Sequence, residues 1–124
     1  MTNPLITLKK VLIIEDDVDT LDLMGYILQE AGFATIKANR EVSIKEIASI
    51  KPDLAILDYL LPFGSGSEMC LEIKSNPLTT HIPVILYSAL NGLERFAEGS
   101  KADAYIAKPF DVEELVELIL TTAL

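Results

Sequence analysis

Lys10-Val11-Leu12-Ile13-Ile14-Glu15-Asp16-Asp17 sets a short apolar run directly against three carboxylates. With no polar residue between Val11 and Ile14, the run reads as a strand covered on both faces, the habit of a central strand in a parallel sheet. The same punctuation recurs along the chain. Leu54-Ala55-Ile56-Leu57 runs into Asp58, Val84-Ile85-Leu86-Tyr87 into Ser88 and Ala89, and Ala104-Tyr105-Ile106-Ala107 into Lys108-Pro109. Ala34-Thr35-Ile36-Lys37 alternates instead and reads as an edge strand.

Helix-period stretches separate these strands. Leu21, Met24, Leu28 and Ala31 mark the first, with Gly32 where a left-handed residue ends a helix; Ile44, Ile47 and Ala48 mark the second. Met69, Cys70 and Ile73 mark a third that Asn76-Pro77 ends, and Leu93, Phe96 and Ala97 a short fourth. The last opens on Asp111 with Glu114 at capping-box spacing and is expected to bury Val112, Leu115, Val116 and Ile119. Five such alternations predict an α/β fold, a doubly wound five-stranded parallel sheet of order 2-1-3-4-5 with helices on both faces.

Composition narrows the class. At 124 residues, half of them hydrophobic, the chain suits one domain over 1–124, with a core of about 9–122 and no output domain. Cys70 is the only cysteine, so no internal disulfide forms, which suits a reducing compartment. No apolar run approaches the roughly 18 residues of a membrane span, and Met1 to Lys10 lacks the pattern of a signal peptide, so the expected location is cytoplasmic, away from membranes. Nineteen acidic against ten basic side chains give a formal charge of −9 with no basic patch, which argues against nucleic-acid binding.

In a sheet of this order, ligands gather beyond the carboxyl ends of the strands at the point where the order reverses. Glu15, Asp16 and Asp17 after the first strand would there meet Asp58 after the third. Such a cluster repels itself unless a proton or a cation intervenes. Oxygen ligands of this kind, completed by water, suit Mg²⁺. Lys108 opposite them offers a point charge for a phosphoryl oxygen, and Ser88 a hydroxyl for another.

Four segments together carry a resemblance: Val11 to Asp17; Pro52 to Asp58 with Leu61-Pro62 and Gly66; Ile82 to Ala89; and Ala102 to Phe110. In this order and spacing the chain resembles the receiver domains of the two-component response regulators, a flavodoxin-like fold. The resemblance implies that Asp58 is the phosphoacceptor, taking a phosphoryl group from a histidine kinase or phosphotransfer protein. It implies that Glu15, Asp16, Asp58 and the backbone carbonyl of Leu60 hold Mg²⁺, and that Ser88 and Lys108 contact the phosphoryl group. Ala89, Tyr105 and Pro109 match the switch positions: a small residue, a turning aromatic ring and a proline often preceded by a cis peptide. Output would pass to a downstream protein partner over the face of the fourth helix, fifth strand and fifth helix. Leu60 and Leu90 fall where the family tunes dephosphorylation, and two leucines there offer an attacking water no hydrogen bond.

The pattern is departed from in places. Glu15 stands where Asp is more familiar, Lys101 where a glycine is common, and the stretch from Ser88 to Tyr105 is shorter than usual. Duller readings stand beside each role: Asp17 or Asp19 as a helix cap, Tyr105 as a strand aromatic, Lys108 as a surface lysine, His81 as a loop residue, Cys70 as core, the two leucines as simple cover. Among rivals, a haloacid-dehalogenase-type phosphatase would find a partial motif in Asp17-Val18-Asp19-Thr20-Leu21. Its nucleophile, however, follows the first strand. A flavodoxin-like electron carrier would need glycines and hydroxyls, rather than carboxylates, after that strand. A degenerate receiver that only binds partners would lack site residues this chain has.

Overall fold

The structure is a computed structural model that describes residues 9–61, 64–88, 100–107 and 111–123. Its central element is a five-stranded parallel sheet made of β1 (Lys10–Ile14), β2 (Ala34–Ala38), β3 (Leu54–Asp58), β6 (Val84–Ser88) and β7 (Ala104–Ala107), in the order β2-β1-β3-β6-β7. A short antiparallel hairpin, β4 (Leu60–Leu61) with β5 (Gly64–Ser65), follows β3. Counted along the sheet alone, the order is 2-1-3-4-5, as the sequence predicts. Helices α1 (Val18–Glu30), α2 (Ile44–Ile50), α3 (Gly66–Ser75) and α4 (Val112–Ala123) complete the described elements. The fourth helix expected around Leu93 to Ala97 falls outside the described residues.

The continuous apolar runs behave as central strands must. Every residue of β3 and β6 is buried, and so are the last four of β1, whereas β2 lies at the edge and is half-exposed. One face of the sheet, with Val11, Ile13, Leu54, Ile56, Ile85 and Tyr87, packs on Leu21, Met24 and Leu28 of α1 and Leu115 and Ile119 of α4. The opposite face, with Leu12, Ile14, Ala55, Leu57, Val84 and Leu86, packs on Ile47 of α2 and Cys70 and Ile73 of α3. Each fully buried Leu or Ile contributes about 1.5–3 kcal/mol of transfer free energy, so this two-sided burial holds the layers together.

Local chemistry ends each helix where it must. Asp17 caps α1 by accepting from the Thr20 backbone N–H, and Gly32, at φ 107°, follows its last turn. Ser43 and Glu46 form a full capping box on α2, and Lys51 closes it in a left-handed conformation (φ 56°) just before Pro52. Ser65 caps α3, and the Asp111 carboxylate accepts from the Glu114 N–H at the start of α4. Val112 departs from expectation: it is 46% exposed and Val116 half-buried, because the first turn of α4 lies beyond the part that Leu115 and Ile119 press onto the sheet. On the β2 edge, Lys37 lays its alkyl chain over Gly25, where a Cβ would stand 2.7 Å from Lys37 Cδ, and its ammonium reaches Asp22 at 3.0 Å.

Candidate functional site

Three of the sheet strands run one residue past the sequence boundaries, and that residue matters. β3 ends on Asp58 itself, paired with Tyr87, and β6 ends on Ser88, paired with Ala107. Because Ile14 pairs with Leu57, the next row along the sheet brings Glu15, Asp58 and Tyr87 side by side across three strands. Paired residues of parallel strands share a face.

The expected carboxylates do converge. Glu15, Asp16 and Asp58 each present an oxygen within 4.8 Å of the other two. Glu15 is 1% exposed and Asp58 7%, while Asp16 is exposed at the rim. Asp17 is drawn away to its capping role, so the capping reading holds for Asp17 and the cluster reading for its two predecessors. The pKa of Asp16 is raised from its usual value of 3.8, first by partial desolvation, then by its hydrogen bond to Glu15 and by the charges of Glu15 and Asp17. Neighbouring carboxylates held this way favour a proton or a cation.

Glu15 is clamped at both oxygens. Its Oε1 accepts from the Tyr87 hydroxyl at 2.7 Å and its Oε2 from the Asp17 N–H at 3.1 Å. Burial and the adjacent carboxylates push the phenol of Tyr87 far above its ordinary pKa, so it stays a donor. The sequence alone marks Tyr87 only as the end of a strand. The register of β1, β3 and β6 is the signal that could have found its contact with Glu15.

Gly66 brings α3 against the same strand end: its N–H donates to the Tyr59 carbonyl at 2.7 Å, and the Tyr59 N–H to the Tyr87 carbonyl at 2.9 Å. Leu60 opens β4 two residues past Asp58 and pairs with Ser65. Ser88 is buried at the end of β6. Tyr105 alternates with Ala104 and Ile106, which pack on the α1/α4 side, and is 48% exposed. Ala89, Leu90, Lys108 and Pro109 lie outside the described residues. His81 is exposed in a turn, as read, and Cys70 is core, its thiol pushed up to about 11 chiefly by burial. Lys101, at the position where a glycine is common, adopts φ 65°. Among the described residues, no helix is long and apolar enough to cross a membrane.

A doubly wound sheet with acidic side chains at its switch point defines a receiver-type α/β domain. The chain belongs to the response regulator receiver domain family, whose sequence model it matches over residues 11–120. It is 32% identical over 114 residues to the phosphate regulon transcriptional regulatory protein PhoB of Escherichia coli, covering 90% of this chain and 50% of that protein. To the DNA-binding dual master transcriptional regulator RpaA of Synechocystis it is 36% identical over 110 residues, covering 86% of this chain and 46% of that protein. The chain thus spans about half the length of these relatives. Among solved structures, a putative response regulator from Chloroflexus aurantiacus matches with TM-score 0.83 at 27% identity, over 94% of this chain and 98% of that one. A response regulator receiver domain from Bermanella marisrubri matches with TM-score 0.84 at 20% identity, over 95% and 100%, a likeness of fold.

Proposed function

We propose that the chain is a phosphorylation-controlled switch that takes a phosphoryl group onto Asp58 from a phosphohistidine of a histidine kinase or phosphotransfer protein. The convergence of Glu15, Asp16 and Asp58 at the sheet's switch point carries this reading. The donor set is all hard oxygen, and its mutual repulsion is relieved by a divalent cation, so the residues fit Mg²⁺. Glu15, Asp16, Asp58 and the Leu60 carbonyl are the groups that would hold it. When bound, Mg²⁺ supplies positive charge to the oxygens of the incoming phosphoryl group.

The work of the chain's own residues follows. A carboxylate oxygen of Asp58 attacks phosphorus, a P–O bond forms, and the P–N bond to the imidazole breaks. The electron pair stays on the leaving nitrogen of the donor. The Ser88 hydroxyl would donate to one phosphoryl oxygen and the Lys108 ammonium would offset the charge of another. Ala89 leaves space for the Tyr105 ring to turn inward, which shifts an equilibrium between two arrangements of the same fold. The stretch after Ser88, with β7 and α4, then meets a downstream protein partner. Leu60 and Leu90 give an attacking water no partner, so the acyl phosphate is long-lived.

The reading is tested with a small phosphodonor and MgCl₂. The wild type should take up an acid-stable, base-labile phosphoryl group, and Asp58→Asn, which keeps size but removes the nucleophile, should take up none. Uptake by that variant at the wild-type rate would make the assignment wrong.

A further inference from the structure

Tyr87 is fully buried, and its hydroxyl donates to a carboxylate that is itself 1% exposed. The two residues stand 72 positions apart, Tyr87 on β6 and Glu15 one residue past the end of β1, with β3 between those strands. Adjacent strands lie about 4.8 Å apart, so only two long side chains in the same row, a phenol and a glutamate, meet across the strand between them. An aspartate at position 15 would be one methylene shorter and would withdraw from the hydroxyl. Glu15 therefore stands in a matched pair with Tyr87.

We propose that Tyr87 is a positioning residue of the acidic site: its hydroxyl fixes the Glu15 carboxylate in the orientation from which it faces Asp16 and Asp58. This inference rests on the divalent-cation reading above. A glutamate arm has three torsions, and a buried carboxylate left without donors is costly. Tyr87 supplies the interior donor and the Asp17 N–H the outer one, so each carboxylate oxygen has a fixed partner. Partners of this kind, which orient a ligand without touching the ion, are worth about 10–100-fold in metal affinity.

Calorimetric titration with MgCl₂ tests it on four chains: wild type, Tyr87→Phe, Glu15→Asp and the double variant. Tyr87→Phe should bind Mg²⁺ about tenfold more weakly than wild type. In the Glu15→Asp background, where the hydroxyl has no ligand to hold, the same change should cost less than about twofold. Equal affinity of wild type and Tyr87→Phe, or an equal loss in both backgrounds, overturns the assignment while leaving the cation site standing. Failure of the wild type to bind Mg²⁺ overturns the cation reading and this inference together. Should Tyr87→Phe not melt cooperatively, ultraviolet difference spectra decide on chains in which Tyr26, Tyr59 and Tyr105 are replaced by Phe, since the absence of tryptophan then leaves Tyr87 as the reporter. MgCl₂ should then shift the tyrosine band where Glu15 is kept and leave it unmoved in Glu15→Asp; the same shift in both overturns the inference.

Discussion

Gly66 and Asp58 meet backbone to backbone: a Cβ built on Gly66 would fall 2.1 Å from the Asp58 carbonyl oxygen and 2.8 Å from its carbonyl carbon. The first turn of α3 closes on the end of β3 only because nothing projects there. Space is what the position demands, since Gly66 is not among the residues of positive φ.

Gly66→Ala should therefore destabilise the fold by about 1–3 kcal/mol, the usual cost of forcing atoms into a packed interior, despite the better helix propensity of alanine. Urea unfolding reads the loss. Phosphoryl uptake should slow as well, because the backbone that must yield is that of Asp58. An unchanged midpoint would mean that the helix start shifts freely.

Asp16 gives a dependence on metal and pH. Its folded pKa lies above 3.8, so its contribution to stability is fully present below pH 3.8 and is lost as pH rises through the folded value. In EDTA at neutral pH, Asp16→Asn should accordingly be at least as stable as wild type, the difference vanishing below pH 3.8. With Mg²⁺ at a hundred times its dissociation constant, wild type should gain about 2.7 kcal/mol and the variant much less. Thermal melts at several pH values, with and without MgCl₂, give both comparisons.

The opposite sign holds at Glu46. The Arg40 guanidinium, paired with its carboxylate at 2.8 Å, and then the Ser43 N–H, hold it down at about 2 from the usual 4.5. Its contribution to stability is present above pH 4.5 and is lost as pH falls through about 2. Carboxyl titration followed by NMR should show this midpoint rising toward 4.5 in Arg40→Ala, and rising in the wild type at high salt, since the pair is exposed. A midpoint insensitive to both changes would place the cause in the capping box alone.

The lifetime of the acyl phosphate offers a kinetic test. Replacing Leu60 by Asn and Leu90 by Glu or Lys should speed loss of the phosphoryl group by roughly tenfold, about 1.4 kcal/mol of barrier. Rapid loss from the wild type, unaltered in the double variant, would remove the leucines from any shielding role.

Tyr105, 48% exposed in the structure, should become protected when beryllofluoride is added with Mg²⁺. Side-chain NMR or solvent labelling of the ring reads the change. Shifts confined to residues near Asp58, with Tyr105 still, would leave the site intact and remove the switch.

Much of this was legible because the decisive signals are local. Val11 to Ile14 and Val84 to Leu86 have no polar residue to turn toward water, so they had to be central, and the alternation at Ala34 to Lys37 marked the edge. The carboxylates were readable because each follows a strand, and the sheet order makes the strand ends neighbours. What escaped depends on register and distance. Asp58 and Ser88 join their strands because Tyr87 and Ala107 stand opposite them, and the pairing of Tyr87 with Glu15 crosses a whole strand. The β4–β5 hairpin has no counterpart in the sequence pattern, because strands of two residues are too short to show a period. Val112 fits the helical period yet projects into water, because periodicity says which side of a helix is apolar but not where along its length the sheet begins.

The lysine folded over Gly25 bears on how copies of the chain avoid one another. Among the described residues β2 is an open edge, with a row of backbone donors and acceptors able to template a foreign strand. An incoming chain would have to lie beside an ammonium tethered to Asp22 and strip water from the ion pair. The Lys37–Asp22 ion pair thus guards that edge against amyloid-like stacking, and a Lys37→Val chain would be the aggregation-prone form of this protein.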